Sequence, residues 1–264
     1  MNDLIGLLPA AGRGSRLGPI PCSKEIMPLG FRPTQTTSLA WHPVTAMELH
    51  LHALRQAGAR RAVVIISESK ADIVRYIGDG SRYGVAVAYV YQQQLQGLPF
   101  ALSLARDWIG SSTTLFSMPD TLITPPETMA RVSAFHQRHG VDVTLGLFST
   151  TTPHKFGMVE QDDQGRLVYF IEKPAQSNLH LMWGMAAWSP RFTEFLTAHL
   201  ADQPPQDTEY VMSGVFNAAL KAGLTIQGIP LLEAHYHDIG TPEDFQSGVL
   251  RLALEQDSRF DDMR

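Results

Sequence analysis

At 264 residues the chain is long for one domain and ample for a single α/β enzyme core with a substantial buried interior. A hydrophobic fraction of 44% beside 18% charged residues is that of a soluble globular protein, and the net charge of −5 argues against a non-specific nucleic-acid binder while leaving room for a local cationic pocket. The single cysteine, Cys22, excludes an intramolecular disulfide and a cysteine-based metal site; the Met-Asn-Asp-Leu start lacks the pattern of a secretory signal, and no apolar run reaches the roughly 18 residues of a membrane span, so a reducing cytoplasm is expected.

The first element is an apolar run at residues 4–9, which reads as a buried strand. Val44, Met47, Leu51 and Leu54 follow helical spacing up to Gly58, and Ala62 to Ile66 reads as a second buried strand. A short helix is expected at 70–77, a third strand at 85–91, a helix near 98–107 and a fourth strand at 114–118. Pro125-Pro126 opens a helix carrying Met129, Val132 and Phe135, and Val141 to Phe148 is a fifth strand. This alternation implies a largely parallel central sheet with helices on both faces. Residues 156–172 then read as a hairpin turning at Asp162-Asp163-Gln164-Gly165, a small β region inserted in the α/β order. Strands at 181–188 and 224–230 and helices at 190–200 and 208–222 follow, and Thr241-Pro242-Glu243-Asp244 has the cap, proline and acids of a helix start. Residues 30–42 read as a surface loop or extra hairpin in preference to a substrate lid.

Between the first strand and its helix lies Ala10-Ala11-Gly12-Arg13-Gly14-Ser15-Arg16-Leu17, followed by Ser23-Lys24-Glu25. A backbone this bare approaches a ligand closely and can aim its N–H groups at phosphate oxygens, and Arg16 and Lys24 bring cations to the same neighbourhood. The stretch matches neither G-x-x-x-x-G-K-[ST] nor G-x-G-x-x-G. A polyanion site at the carboxyl end of the first strand and a tight turn with two solvated cations are both consistent with these residues.

The segment resembles the signature of the sugar-1-phosphate nucleotidyltransferases. Further matches follow in order: Tyr91-Gln92 through Gly97-Leu98, Met118-Pro119-Asp120, Phe156-Gly157-Met158-Val159, Ile171-Glu172-Lys173-Pro174 and His237-Asp238-Ile239-Gly240-Thr241-Pro242. The resemblance covers about residues 4 to 250, with a slightly short spacing from Arg16 to Lys24. It implies a Rossmann-like, GT-A-like nucleotidyltransferase fold in one domain, with a nucleotide-binding half over about 1–120 and a sugar-phosphate half over about 121–256. It also implies transfer of a nucleotidyl group from dTTP or UTP to a sugar 1-phosphate, with glucose 1-phosphate the leading acceptor. A cytidylyltransferase acting on a sugar phosphate or phosphoalcohol is the nearest rival. A non-catalytic relative is disfavoured because Arg16, Lys24, Asp120, Lys173 and Asp238 are all present.

By that resemblance Ala10, Ala11, Gly12, Gly14 and Ser15 line the triphosphate, Arg16 clamps it, and Lys24 contacts the α-phosphate. Asp120 and Asp238 jointly bind Mg²⁺, a hard ion suited to carboxylates and phosphate oxygens. Gln92 and Gly97 read the base, an amide being matched to the imide edge of uracil or thymine. Lys173 holds the sugar phosphate, Glu172 accepts from sugar hydroxyls, and Gly157 and Gly184 let the backbone meet the sugar. The expected partners are a nucleoside triphosphate and a sugar 1-phosphate, without nucleic acid or membrane, and a homo-oligomer is compatible with the sequence. His235 and His237 alternate beside Asp238; the other histidines show no ligand spacing, which favours packing and surface roles over a transition-metal site.

Overall fold

The computed structural model describes residues 3–33, 41–162, 164–203 and 208–261. Its strands are β1 (Leu4–Pro9), β2 (Gly30–Pro33), β3 (Trp41–Val44), β4 (Arg61–Ile66), β5 (Ala86–Tyr91), β6 (Thr113–Ser117), β7 (Thr121–Thr124), β8 (Val143–Ser149), β9 (Gly157–Gln161), β10 (Leu167–Glu172), β11 (Leu181–Trp188), β12 (Ile226–Pro230) and β13 (His235–Asp238). Its helices are α1 (Ala46–Gln56), α2 (Ala71–Ile77), α3 (Leu98–Ser103), α4 (Arg106–Ile109), α5 (Thr128–His139), α6 (Pro190–Ala201), α7 (Met212–Lys221) and α8 (Pro242–Asp261).

The apolar runs of β1, β4 and β6 are continuous because these strands are buried on both faces, whereas the edge strand β5 is only half-buried. Along β1, Ile5 and Leu7 enter one core while Leu4 and Leu8 enter the other; Val63 and Ile65 of β4 likewise oppose Ala62 and Val64. β5, β4, β1 and β6 pair in parallel in that order. β11 then lies between β6 and β8, antiparallel to both, and β12 pairs in parallel with β8. The sheet is therefore mostly parallel, as expected, with a reversed strand at its middle. The hairpin expected at 156–172 forms as β9 and β10, paired antiparallel and joined to the sheet through β11.

Several boundaries differ from the sequence reading. Val44 ends a strand, and α1 starts only after Thr45, whose hydroxyl and backbone exchange hydrogen bonds with Glu48 in a capping box. The helix expected over 98–107 is broken into α3 and α4. Pro125-Pro126 precede α5 without entering it, because β7 runs directly into them. β7 itself pairs with β13, His235 opposite Thr124 and Asp238 opposite Thr121. The extra hairpin expected near 30–42 is seen in the pairing of β2 with β3; residues 34–40 lie outside the described residues, as does Asp163 of the turn in the β9–β10 hairpin.

Candidate active site

The chain leaves β1 at the carboxyl edge of the parallel strands, where α/β sheets open to ligands. Ala10 still belongs to the sheet: it is buried, and its N–H donates to the Ile65 carbonyl at 2.7 Å. Ala11 is anchored through its carbonyl, which accepts from the Ser67 hydroxyl at 2.8 Å. From Gly12 onward the backbone is free to face a ligand. A Cβ on Gly12 would meet nothing within 4 Å, and Gly14 takes a left-handed φ of 66° to enter the 3-10 turn Ser15–Leu17.

These residues form one wall of a cleft of about 620 Å³ that brings together Ala11, Gly12, Gly14, Ser15, Arg16, Lys24, Gln92 and Gly97. Ala10 supports the wall from behind. Gln92, at the end of β5, is 4% exposed and tied to Ile66 by its backbone N–H. Gly97 caps α3 at a φ of 102°, and a Cβ there would lie 2.3 Å from the Tyr210 carbonyl oxygen. Only glycine suits both constraints. We expect Gly97→Ala to destabilise the fold by about 2 kcal/mol or more, read as a lower midpoint in urea unfolding.

Each of the two cations lining this cleft, Lys24 and Arg16, is paired with a carboxylate behind it. The Lys24 ammonium is ion-paired and hydrogen-bonded to Asp120 Oδ2, with both side chains largely buried. The Arg16 guanidinium, more exposed, stands 3.7 Å from the Asp238 carboxylate. The pairing of β7 with β13 brings the carboxylates together, and the Ile239 N–H donates to the Asp120 carbonyl at 3.2 Å. Gly240 closes the corner: a Cβ there would be 2.7 Å from Arg16 Nη2 and 2.9 Å from Asp238 Oδ1. Beneath the turn after Asp120, the buried His50 donates from Nε2 to the Thr121 carbonyl at 2.9 Å, and burial lowers its pKa to about 4, keeping it neutral.

Burial is the largest influence on Lys24 and disfavours its charge, but the Asp120 charge and hydrogen bond outweigh it and raise the ammonium's pKa. Asp238 is raised above the usual carboxylate range, first by burial and then by the Asp120 charge, with Arg16 opposing. The folded chain thus binds this proton more tightly than the unfolded one. The associated stability is present at low pH and is lost as pH rises through the raised folded value. Without divalent metal, Asp238→Asn is expected to melt above the wild type at pH 7, and the gap should close toward pH about 4. Thermal melts in chelator across that range check this.

Asp120 Oδ1 is buried with no hydrogen-bond partner among the described residues. An orphaned carboxylate oxygen is costly. With a second carboxylate beside it whose proton affinity is raised, the donor set fits a hard dication shared by Asp120 and Asp238. His237 is engaged otherwise: its Nε2 donates to the Asp244 carbonyl at 2.7 Å, the packing role the sequence favoured.

The residues expected at the sugar lie on the neighbouring strands. Glu172 ends β10 and accepts from the Ser213 hydroxyl at 2.9 Å, and a Cβ on Gly157 would be 3.2 Å from Glu172 Oε2 and 2.4 Å from Trp183 Nε1. That indole N–H is buried without a hydrogen-bond partner among the described residues. Lys173 is exposed and holds a φ of 42°, a strained value for a residue with a side chain, while its N–H donates to the Phe156 carbonyl at 3.0 Å. Gly184 faces protein: a Cβ there would lie 2.5 Å from the Tyr236 ring and 2.9 Å from that of Phe148. A polar cleft of about 560 Å³, with Lys155, His180 and His237 among its walls, opens on the side of Asp238.

Sequence reasoning missed Glu209 in the main cleft, and Trp183 and Ser213 near Glu172. The orphaned indole and the Ser213 bond arise from tertiary placement and have no local signal.

A bare, glycine-rich turn with a cationic pair and a carboxylate pair beside it, at the carboxyl edge of a mostly parallel sheet, is the arrangement of a nucleotide-handling α/β protein. The chain belongs to the nucleotidyl transferase family, whose model matches residues 5–253. It is 27% identical over 253 residues to the glucose-1-phosphate thymidylyltransferase of Streptomyces griseus, covering 94% of this chain and 66% of that protein. It is 28% identical over 253 residues to UTP–glucose-1-phosphate uridylyltransferase AglF of Haloferax volcanii, covering 93% of this chain and 95% of that protein. The chain thus spans about two thirds of the first relative's length and nearly all of the second's. The structure of UDP-glucose pyrophosphorylase complexed with UDP-glucose superposes with a TM-score of 0.77 at 17% identity, covering 97% of this chain and 100% of that one. No described helix is long and apolar enough to cross a membrane.

Proposed function

We propose that the protein transfers a nucleotidyl group from a nucleoside triphosphate to a sugar 1-phosphate, releasing pyrophosphate, with dTTP or UTP as donor and glucose 1-phosphate as leading acceptor. The observation that carries this reading is the paired arrangement of Lys24 with Asp120 and Arg16 with Asp238 at the mouth of the phosphate-facing turn. A sugar phosphate oxygen attacks the α-phosphorus, the bond from that phosphorus to the oxygen bridging to the β-phosphate breaks, and pyrophosphate leaves with the electron pair. Both reactants are multiply anionic, so positioning and charge compensation dominate catalysis.

The open backbone from Gly12 to Ser15 receives the triphosphate, and Arg16 neutralises the departing pyrophosphate. Mg²⁺ held by Asp120 and Asp238 would neutralise phosphate charge and orient the reacting groups. Lys24, ion-paired with Asp120, contacts the α-phosphate and offsets the charge that grows there during transfer. Lys173, Glu172 and Gly157 receive the acceptor. A single cysteine and a fold without a disulfide fit a reducing cytoplasm.

Gln92 can satisfy an imide edge by turning its amide, while the fixed backbone near Leu95 and Gly97 sets the base's orientation. The specificity constant for pyrophosphate release should fall from dTTP or UTP to CTP and then to purine triphosphates. A purine triphosphate as the best donor would remove the base assignment and leave the transfer chemistry standing; release that ignores the sugar phosphate would remove the function.

A further inference from the structure

Lys24 enters the cleft from Lys24–Ile26, a single 3-10 turn with no side-chain cap of its own. So short a turn has little intrinsic rigidity. The residues on either side of Lys24 are nevertheless fixed from the same direction. Ser23 donates its N–H to Asp72 Oδ2 at 2.6 Å and its hydroxyl to Asp72 Oδ1 at 2.7 Å. The Lys70 ammonium donates to both oxygens of Glu25, at 3.1 and 2.8 Å. Asp72 is rooted in the first turn of α2, where its carboxylate also accepts from the Ile73 N–H at 2.9 Å.

In a 3-10 turn successive side chains leave about 120° apart. Lys24 and Glu25 therefore point to different places, one to Asp120 and the other to Lys70. The Glu25–Lys70 pair is almost fully buried, with side chains 2% and 4% exposed. A buried ion pair of this kind adds little stability over an apolar pair of similar volume, so stability alone does not account for it. Its position does. Glu25 adjoins Lys24 and lies within electrostatic reach of both Lys24 and Asp120. Uncompensated, its carboxylate would compete with Asp120 and with a substrate phosphate for the Lys24 ammonium. Lys70 neutralises that competitor while Asp72 holds the other flank.

We propose that Lys70 and Asp72 are positioning residues for nucleotidyl transfer, clamping the Lys24 turn to α2 so that the ammonium is presented to the α-phosphate. The proposal rests on the nucleotidyl-transfer reading above. Misplacing a catalytic group by about 1 Å costs about a hundredfold in rate, and loosening either flank permits a shift of that order.

Two readouts test this on the full chain with Asp72→Ala, Lys70→Met and Lys70→Arg. One is kcat against the KM for dTTP or UTP. The other is the rate at which N-hydroxysuccinimidyl acetate acylates Lys24 in the protein alone, followed by peptide mass spectrometry. Lys24, 7% exposed and ion-paired, should be slow to label in the wild type. In Asp72→Ala and Lys70→Met its labelling should rise about tenfold and kcat should fall about 10- to 100-fold, with KM within about threefold. Lys70→Arg should restore kcat to within about threefold of wild type. Asp72 is half-buried on the helix face, so Asp72→Ala decides the matter even if Lys70→Met does not fold. With an active wild type, unchanged Lys24 labelling in Asp72→Ala, or a kcat within about twofold of wild type, overturns the clamp. A wild type without transfer activity overturns the underlying reading instead.

Discussion

Lys24→Ala should lower kcat about a thousandfold while the KM for the triphosphate changes less than about tenfold. The loss corresponds to about 4 kcal/mol of transition-state stabilisation. Lys24 is held by Asp120, largely buried at the wall of the main cleft. On the proposed mechanism its contact with the α-phosphate strengthens as negative charge grows during transfer, so its removal should be felt in turnover more than in binding. Arg16, open to solvent and 3.7 Å from Asp238, is expected to contribute more evenly to ground-state and transition-state binding, so its replacement should raise KM as well as lower kcat. Steady-state kinetics at saturating Mg²⁺, with a thermal melt to show that the variant is folded, decide the point. Wild-type turnover in Lys24→Ala would remove this residue from the mechanism.

Asp120→Asn and Asp238→Asn should each raise the Mg²⁺ concentration for half-maximal activity at least about tenfold. A neutral amide is a poorer ligand for a hard dication. Asp120 is expected to show the larger effect, because its Oδ1 is the buried oxygen with no protein partner among the described residues, while Oδ2 engages Lys24. Asp238→Asn also removes the charge that raises the cost of leaving the site without metal, so it should separate two effects: the metal-free protein becomes more stable as the metal requirement becomes worse. A purely structural aspartate would not move the two in opposite directions. Unchanged metal titrations in both variants would refute the shared site.

Much of this arrangement is legible in the sequence because the central parallel strands β1, β4 and β6 are buried on both faces. Runs such as Ala62 to Ile66 and Thr114 to Met118 admit few other readings, and the bare turn between Ala11 and Ser15 stands out against them. The glycines carry real conformational information at Gly14 and Gly97, where positive φ is required. What escapes a local reading is non-local. β7 is four residues long, lies between Asp120 and a pair of prolines, and finds its partner β13 more than a hundred residues later. That pairing is what brings Asp120 toward Asp238, and the motif assignments name the two aspartates without the strand pairing that places them. The reversed β11 between β6 and β8 is hidden for the same reason. Gly157 and Gly184 show what a sequence leaves out: the missing side chain makes room for Trp183 at the first and for Tyr236 and Phe148 at the second. The clamp on the Lys24 turn joins residues 23 and 25 to 72 and 70, with nothing in their sequence spacing to announce it.

In the proposed reaction the bond broken lies at the α-phosphorus, and the sugar phosphate takes the nucleotidyl group. The most direct measurement follows dTTP or UTP labelled either at the α- or at the γ-phosphorus, with Mg²⁺ and glucose 1-phosphate, and separates the products. The α-label is expected in a nucleotide sugar and the γ-label in pyrophosphate, with neither product formed when the sugar phosphate is omitted. A γ-label in the sugar product, release independent of the sugar phosphate, or no turnover with any triphosphate and sugar 1-phosphate would contradict it.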